Sequence, residues 1–132
     1  MIKTDIEIKD DVYDYISRSK LKQIVSGKLS KTKRPANSNK EDIVISILDN
    51  GSGQYQEAFV NVNIYVKDLS RDNQPEEYSK RLRELCRVAD EVLSVFHGET
   101  FRCTLDKQRV LPVNGKDEHV INNKLFYQQI NE

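Results

Sequence analysis

The alternation of apolar and polar residues divides this chain into segments with different periods. From Tyr55 to Lys67, Val60, Val62, Ile64 and Val66 fall on one side of an extended chain and Phe59, Asn61, Asn63 and Tyr65 on the other. That period of two predicts a strand with one buried face and one half-wet face, which suits an antiparallel hairpin. Its partner is the β-branched run Asp42-Ile43-Val44-Ile45-Ser46-Ile47-Leu48-Asp49, closed by Asn50-Gly51-Ser52-Gly53, residues that tolerate the positive φ of a turn. Further on, Leu82, Leu85, Cys86, Ala89, Leu93 and Phe96 recur at helical spacing and make one apolar stripe. Pro75 with Glu76 and Glu77 reads as the start of that helix and His97-Gly98 as its end, a length of about 22 residues. Two strands, Phe101 to Leu111 and Glu118 to Ile130, close the chain around the hairpin signal Asn114-Gly115.

The first third is less regular. Asp10 or Asp11 reads as a helix N-cap, followed by Val12, Ile16, Leu21, Ile24 and Val25, with Ser17-Arg18-Ser19 as a break and Gly27 as the terminating residue. Residues 1–9 then form an N-terminal arm. Lys28 to Lys33 reads as a short exposed strand, and Arg34 to Lys40, with Pro35, as a loop. The expected architecture is one α+β domain over residues 1–132. It is a mostly antiparallel sheet of about four to five strands with two helices packed on one face.

Charge refines this picture. The 132 residues carry 21 Lys and Arg against 21 Asp and Glu, so the net charge is zero and the chain as a whole is no bulk nucleic-acid binder. Residues 18–40, however, hold eight bases and no acid. Three readings stand beside one another: a solvated basic loop, an arm for nucleic acid, and a patch for the acidic part of a neighbouring copy. The residues singled out are Lys28, Lys31, Lys33 and Arg34, with the hairpin tip Asn50, Gly51, Ser52 and Gly53 as a second, partner-facing candidate.

Chemistry is sparse. Cys86, His97, Cys103 and His119 match no zinc spacing, and nothing local activates either thiol, so core packing is the expected role of the cysteines. Gly51-Ser52-Gly53 precedes a strand rather than a helix and therefore reads as a turn, not a phosphate loop. The tyrosines and phenylalanines do not cluster along the chain with Arg and Lys as a base-stacking platform does. No enzyme, metal or cofactor is expected. No apolar run approaches a membrane span, and two unpaired cysteines suit a reducing compartment.

The order of elements resembles that of the tail terminators or tail-completion proteins of long-tailed bacteriophages, of the lambda type. The residues that carry the likeness are the amphipathic opening helix Val12 to Val25, the exit Ser26-Gly27-Lys28-Leu29 and the Arg34-Pro35 loop. The hairpin Ile43–Leu48 and Glu57–Lys67 follows, then the long helix Glu76 to Phe96 and the last strand Leu125 to Ile130. Head–tail connector subunits share that order. The resemblance implies a structural role: a subunit of a homo-oligomeric, hexameric ring that caps the tail tube protein and offers a surface to the head–tail connector, with DNA passing its lumen. It also implies assembly in the bacterial host cytoplasm and a place in the virion tail, away from any membrane.

Overall fold

The computed structural model describes residues 2–51 and 56–130. Among them are three helices and eight strands: α1 Asp5–Ser17, α2 Lys20–Ile24, β1 Leu29–Ser30, β2 Ile43–Gly51, β3 Glu57–Lys67, β4 Leu69–Arg71, β5 Gln74–Glu76, α3 Ser79–Leu93, β6 Val95–His97, β7 Phe101–Pro112 and β8 Glu118–Gln129. The class is α+β. Six strands form a sheet in the order β1-β2-β3-β8-β7-β6, antiparallel throughout except for the β1–β2 pair, and β4 and β5 make a separate hairpin. Both counts exceed the four to five strands and two helices read from the sequence.

The alternation in β3 decides how the layers meet. Ala58, Val60, Val62, Ile64 and Val66 are buried, and the residues beside them on β8, Tyr127, Leu125, Asn123 and Ile121, are buried with them. Onto this face pack Ile8, Val12 and Ile16 of α1, Leu21 of α2, and Leu82, Leu85, Ala89 and Leu93 of α3, in one hydrophobic cluster. The other face of the sheet carries no helix. Its residues on β3, Phe59, Asn61, Asn63 and Tyr65, are half-buried.

Three local expectations are corrected. The opening helix begins at Asp5, so residues 5–9 are its first turns rather than an arm. Thr4 caps it: the hydroxyl accepts from the Glu7 amide while the Glu7 carboxylate accepts from the Thr4 amide. The alternating Ile2, Ile6 and Ile8 masked a helical spacing of Ile8, Val12 and Ile16. Asp10 and Asp11 cap nothing and pair with Lys31 and Lys3 instead.

The long helix is 15 residues rather than about 22. Asp72 and Asn73 take positive φ of 51° and 61°, turning the chain into the β4–β5 hairpin, so Pro75 lies in a strand and Phe96 in β6. Gly27 ends no helix. A Cβ there would stand 2.6 Å from the Asp42 amide nitrogen, so glycine permits the close approach that sets Asp42 in place.

Candidate functional site: the basic segment and the sheet edges

The four basic candidates separate into two kinds. Arg34 is only 12% exposed. Its Nε donates to Asp42 Oδ2 at 2.7 Å, Nη1 to Glu118 Oε1 at 2.6 Å and Nη2 to the Lys40 carbonyl at 2.8 Å, and the guanidinium lies 4.4 Å from the centre of the Tyr65 ring. Burial works against its charge, but the bonds to Glu118 and Asp42 outweigh it and raise its pKa. Burial likewise pushes the Asp42 carboxyl up, yet bonds from Ser38, the Lys28 amide and Arg34 hold it below its ordinary value. Arg34 thus fastens the 31–42 loop to the ends of β2, β3 and β8. It is not free to meet a partner.

Lys31 is half-held. Its ammonium pairs with Asp10 and sits 5.0 Å from the Tyr13 ring centre, and that pairing raises its pKa. Lys33 is exposed. Lys28, also exposed, lines a cavity of about 410 Å³ with Tyr13, Ser17, Lys22 and Leu29. Arg34, buried in its ion pairs, therefore does not share an exposed surface with Lys28 and Lys33.

At the hairpin tip, Asn50 donates to Asp5 and accepts from Gln56, tying the tip to the start of α1. Gly51 pairs with Glu57, and Ser52 and Gly53 lie outside the described residues. The metal candidates are dispersed. His97 sits beside Arg102 at one end of β7 and His119 beside Pro112 at the other, where it bonds Asp68 at 2.7 Å. Burial pushes the Cys86 and Cys103 thiols up, away from the reactive thiolate. Among the described residues no group of three or more His, Cys, Asp or Glu is placed to hold a metal ion.

The sheet edges carry a feature that the sequence pattern did not bring out. β1 covers β2 only at Ile43 and Val44, and β6 covers β7 only from Arg102 to Thr104. Beyond those short caps, β2 and β7 have a strand partner on one side only among the described residues. The two open stretches lie at diagonally opposite corners of the sheet. Ile43 donates to the Lys28 carbonyl on the β1 side, so the amides of Ile45 and Ile47 turn to the same edge. Val113 donates inward to Glu118, so the amides of Gln108 and Val110 turn outward. Each edge strand has an irregular register, between Ile47 and Asp49 in β2 and between Leu105 and Lys107 in β7. Such bulges accompany managed strand edges.

No family model matches the chain, and no curated protein matches it in sequence.

A second cluster was also missed. Lys3, 7% exposed, donates to Asp11 at 2.6 Å, Thr100 at 2.6 Å and Tyr127 at 2.8 Å, while Gln56 bonds both its amide and its carbonyl. All three ammonium donors are taken up within the fold, so Lys3 anchors the N-terminal residues across α1 and β8. Nothing in the local sequence marks it, because its partners lie up to 124 positions away.

Proposed function

We propose that this chain is a structural subunit that closes with its own copies into a ring, of the kind that terminates the tail of a long-tailed phage. The observation that carries the reading is the pair of open half-edges. β2 and β7 run antiparallel across the sheet, so the open half of β2 in one copy can extend the sheet beyond the open half of β7 in the next. Two different surfaces then meet, a heterologous contact, which makes a ring when its rotation closes. Asp49 borders the first edge, and Lys107 and Arg109 border the second, on the same face of the sheet, so charge favours this register.

The geometry suits closure. Joining the two open stretches offsets neighbours by roughly five residues, or about 17 Å along the strands, while four full-length strands advance the sheet by about 19 Å. The resulting strand tilt of about 40° falls in the range in which sheets close on themselves. The helices stand outside and the helix-free face looks inward. A hexamer, the tail tube and connector as partners, and a place in the virion tail after assembly in the host cytoplasm follow from the likeness in element order. Among the described residues no helix is long and apolar enough to cross a membrane.

The test is Val110→Pro. Proline removes an outward amide and leaves the β7–β8 ladder intact, as Pro112 already does two residues on. Mass photometry of the purified protein gives a ring of defined stoichiometry, and the variant gives folded monomer. A wild-type chain that stays monomeric at high concentration, alone and with a tail tube, overturns the proposal.

A further inference from the structure

The helix-free face has a composition that the fold does not require. Phe59 and Phe126 stand opposite one another on the adjacent strands β3 and β8, ring centroids 5.3 Å apart and planes at 36°. Both are half-buried, with one side turned to the surface. Sequence separation hid this pair; the sheet makes it. Lys124 lies in the next row, its ammonium 4.3 Å from the Phe59 ring centre. Lys107 stands opposite Lys124, Arg109 opposite Asn122 and Arg102 opposite Gln128, so all three share this face. Asp106 lies beside them, 3.8 Å from Lys124, and two further acids border the rings on the β2–β3 side, Asp49 opposite Phe59 and Glu57 opposite Gln128, so the basic side of the face is the β7 side.

Beside the rings lies a row of amides. Asn122 Nδ2 donates to Asn61 at 3.2 Å and to Asn63 at 2.7 Å. That leaves the Nδ2 groups of Asn61 and Asn63 and the Asn122 Oδ1 without a partner among the described residues. An aromatic pair, a basic rim and a donor–acceptor row thus occupy one open antiparallel face.

We propose that this face binds single-stranded nucleic acid, with bases on Phe59 and Phe126 and phosphates along Lys107, Arg109 and Arg102. Charge chooses the occupant: on the β7–β8 side Arg102, Lys107, Arg109 and Lys124 stand against the single acid Asp106, which suits a polyanion laid along β7. The aromatic pair chooses among polyanions. Any base has a face to stack, and neighbouring rings on adjacent strands take successive bases, as open sheets do in general. The rings are half-buried in the sheet face, where an unpaired base reaches them and the stacked bases of a closed duplex do not. Lys124 holds by a cation–π contact the place on Phe59 that a base takes, and moves to a phosphate when it does. The proposal goes beyond the ring and does not depend on it, since the face lies within one subunit.

Fluorescence anisotropy with labelled oligothymidylate and oligouridylate tests it, at low and moderate salt, on the full chain in whatever assembly it adopts. Binding is expected to weaken steeply with salt. Lys107→Glu with Arg109→Glu, both exposed positions, lowers affinity by about tenfold or more. Phe126→Leu lowers it by about fivefold to tenfold while circular dichroism stays native. Should Phe126→Leu fail to fold, the exposed charge pair still decides. Lys28→Glu with Lys33→Glu leaves binding unchanged. Absence of binding at low salt overturns the proposal. Equal binding of duplex DNA or polyglutamate does too, as does a loss that follows Lys28 and Lys33 instead of the sheet face.

Discussion

The two faces of the central sheet are built from the same strands and obey different rules. On the covered face Val60, Val62, Ile64, Ile121 and Leu125 are fully buried against three helices. On the open face Phe59, Asn61, Asn63, Tyr65, Asn122 and Lys124 alternate with them and stay half-buried. The covered face is bound by packing, where each methylene counts. The open face is covered by no helix; Arg34 lies over Tyr65 at one end, and elsewhere its residues meet only one another, as Asn122 does Asn61 and Asn63 and Lys124 does Phe59. The difference teaches that a strand's periodicity gives the fold from one set of positions and the interaction surface from the other.

Substitutions break that comparison to different depths. Leu125→Ala on the covered face leaves a cavity among fully buried neighbours and costs about 3–4 kcal/mol, measured by urea unfolding. Arg34→Ala strands Asp42 and Glu118, 1% and 5% exposed, and costs about 3 kcal/mol, whereas Lys33→Ala shifts stability by less than about 0.5 kcal/mol. Equal effects at Arg34 and Lys33 would refute the division of the basic segment into a fastener and a free side chain. Asn123→Ala removes bonds to the Val62 carbonyl and Gln108 from a fully buried site and costs about 1–2 kcal/mol. Asn61→Ala, on the open face of the neighbouring strand, costs less than about 0.5 kcal/mol.

The Asp42 carboxyl adds a pH dependence. Its folded pKa lies below its unfolded one, so its contribution is fully present above roughly pH 4 and is lost as pH falls through the folded value. Unfolding free energy measured against pH shows this acid limb, and Asp42→Asn flattens it. A limb unchanged in the variant assigns the acid sensitivity to other carboxylates.

How much of this was legible depended on range. The period-two run of β3, the Ile-rich β2 and the β7–β8 hairpin with its Asn-Gly turn were readable because each is a local pattern. The stripe Leu82, Leu85, Ala89 and Leu93 was readable as helix, but its ends were not. The turn at Asp72 and Asn73 needed their positive φ, and Phe96 continues the helical spacing while lying in a strand. Thr4 and Glu7 form a capping box that the alternation of Ile2, Ile6 and Ile8 obscured. The bonds of Arg34 were not legible, because its partners Asp42 and Glu118 come from two separate strand ends, the second 84 positions away. The Phe59–Phe126 pair and the half-capped edges exist only once β8 lies between β3 and β7. No spacing along the chain carries them.

The claim that the open halves of β2 and β7 join copies is tested most directly by hydrogen exchange at single amides as protein concentration rises. Ile45, Ile47, Gln108 and Val110 turn their amides to the open edges. The account predicts fast exchange at these four in dilute monomer and protection approaching that of the inner ladder once copies assemble. Rapid exchange at all four in an assembled ring would contradict it.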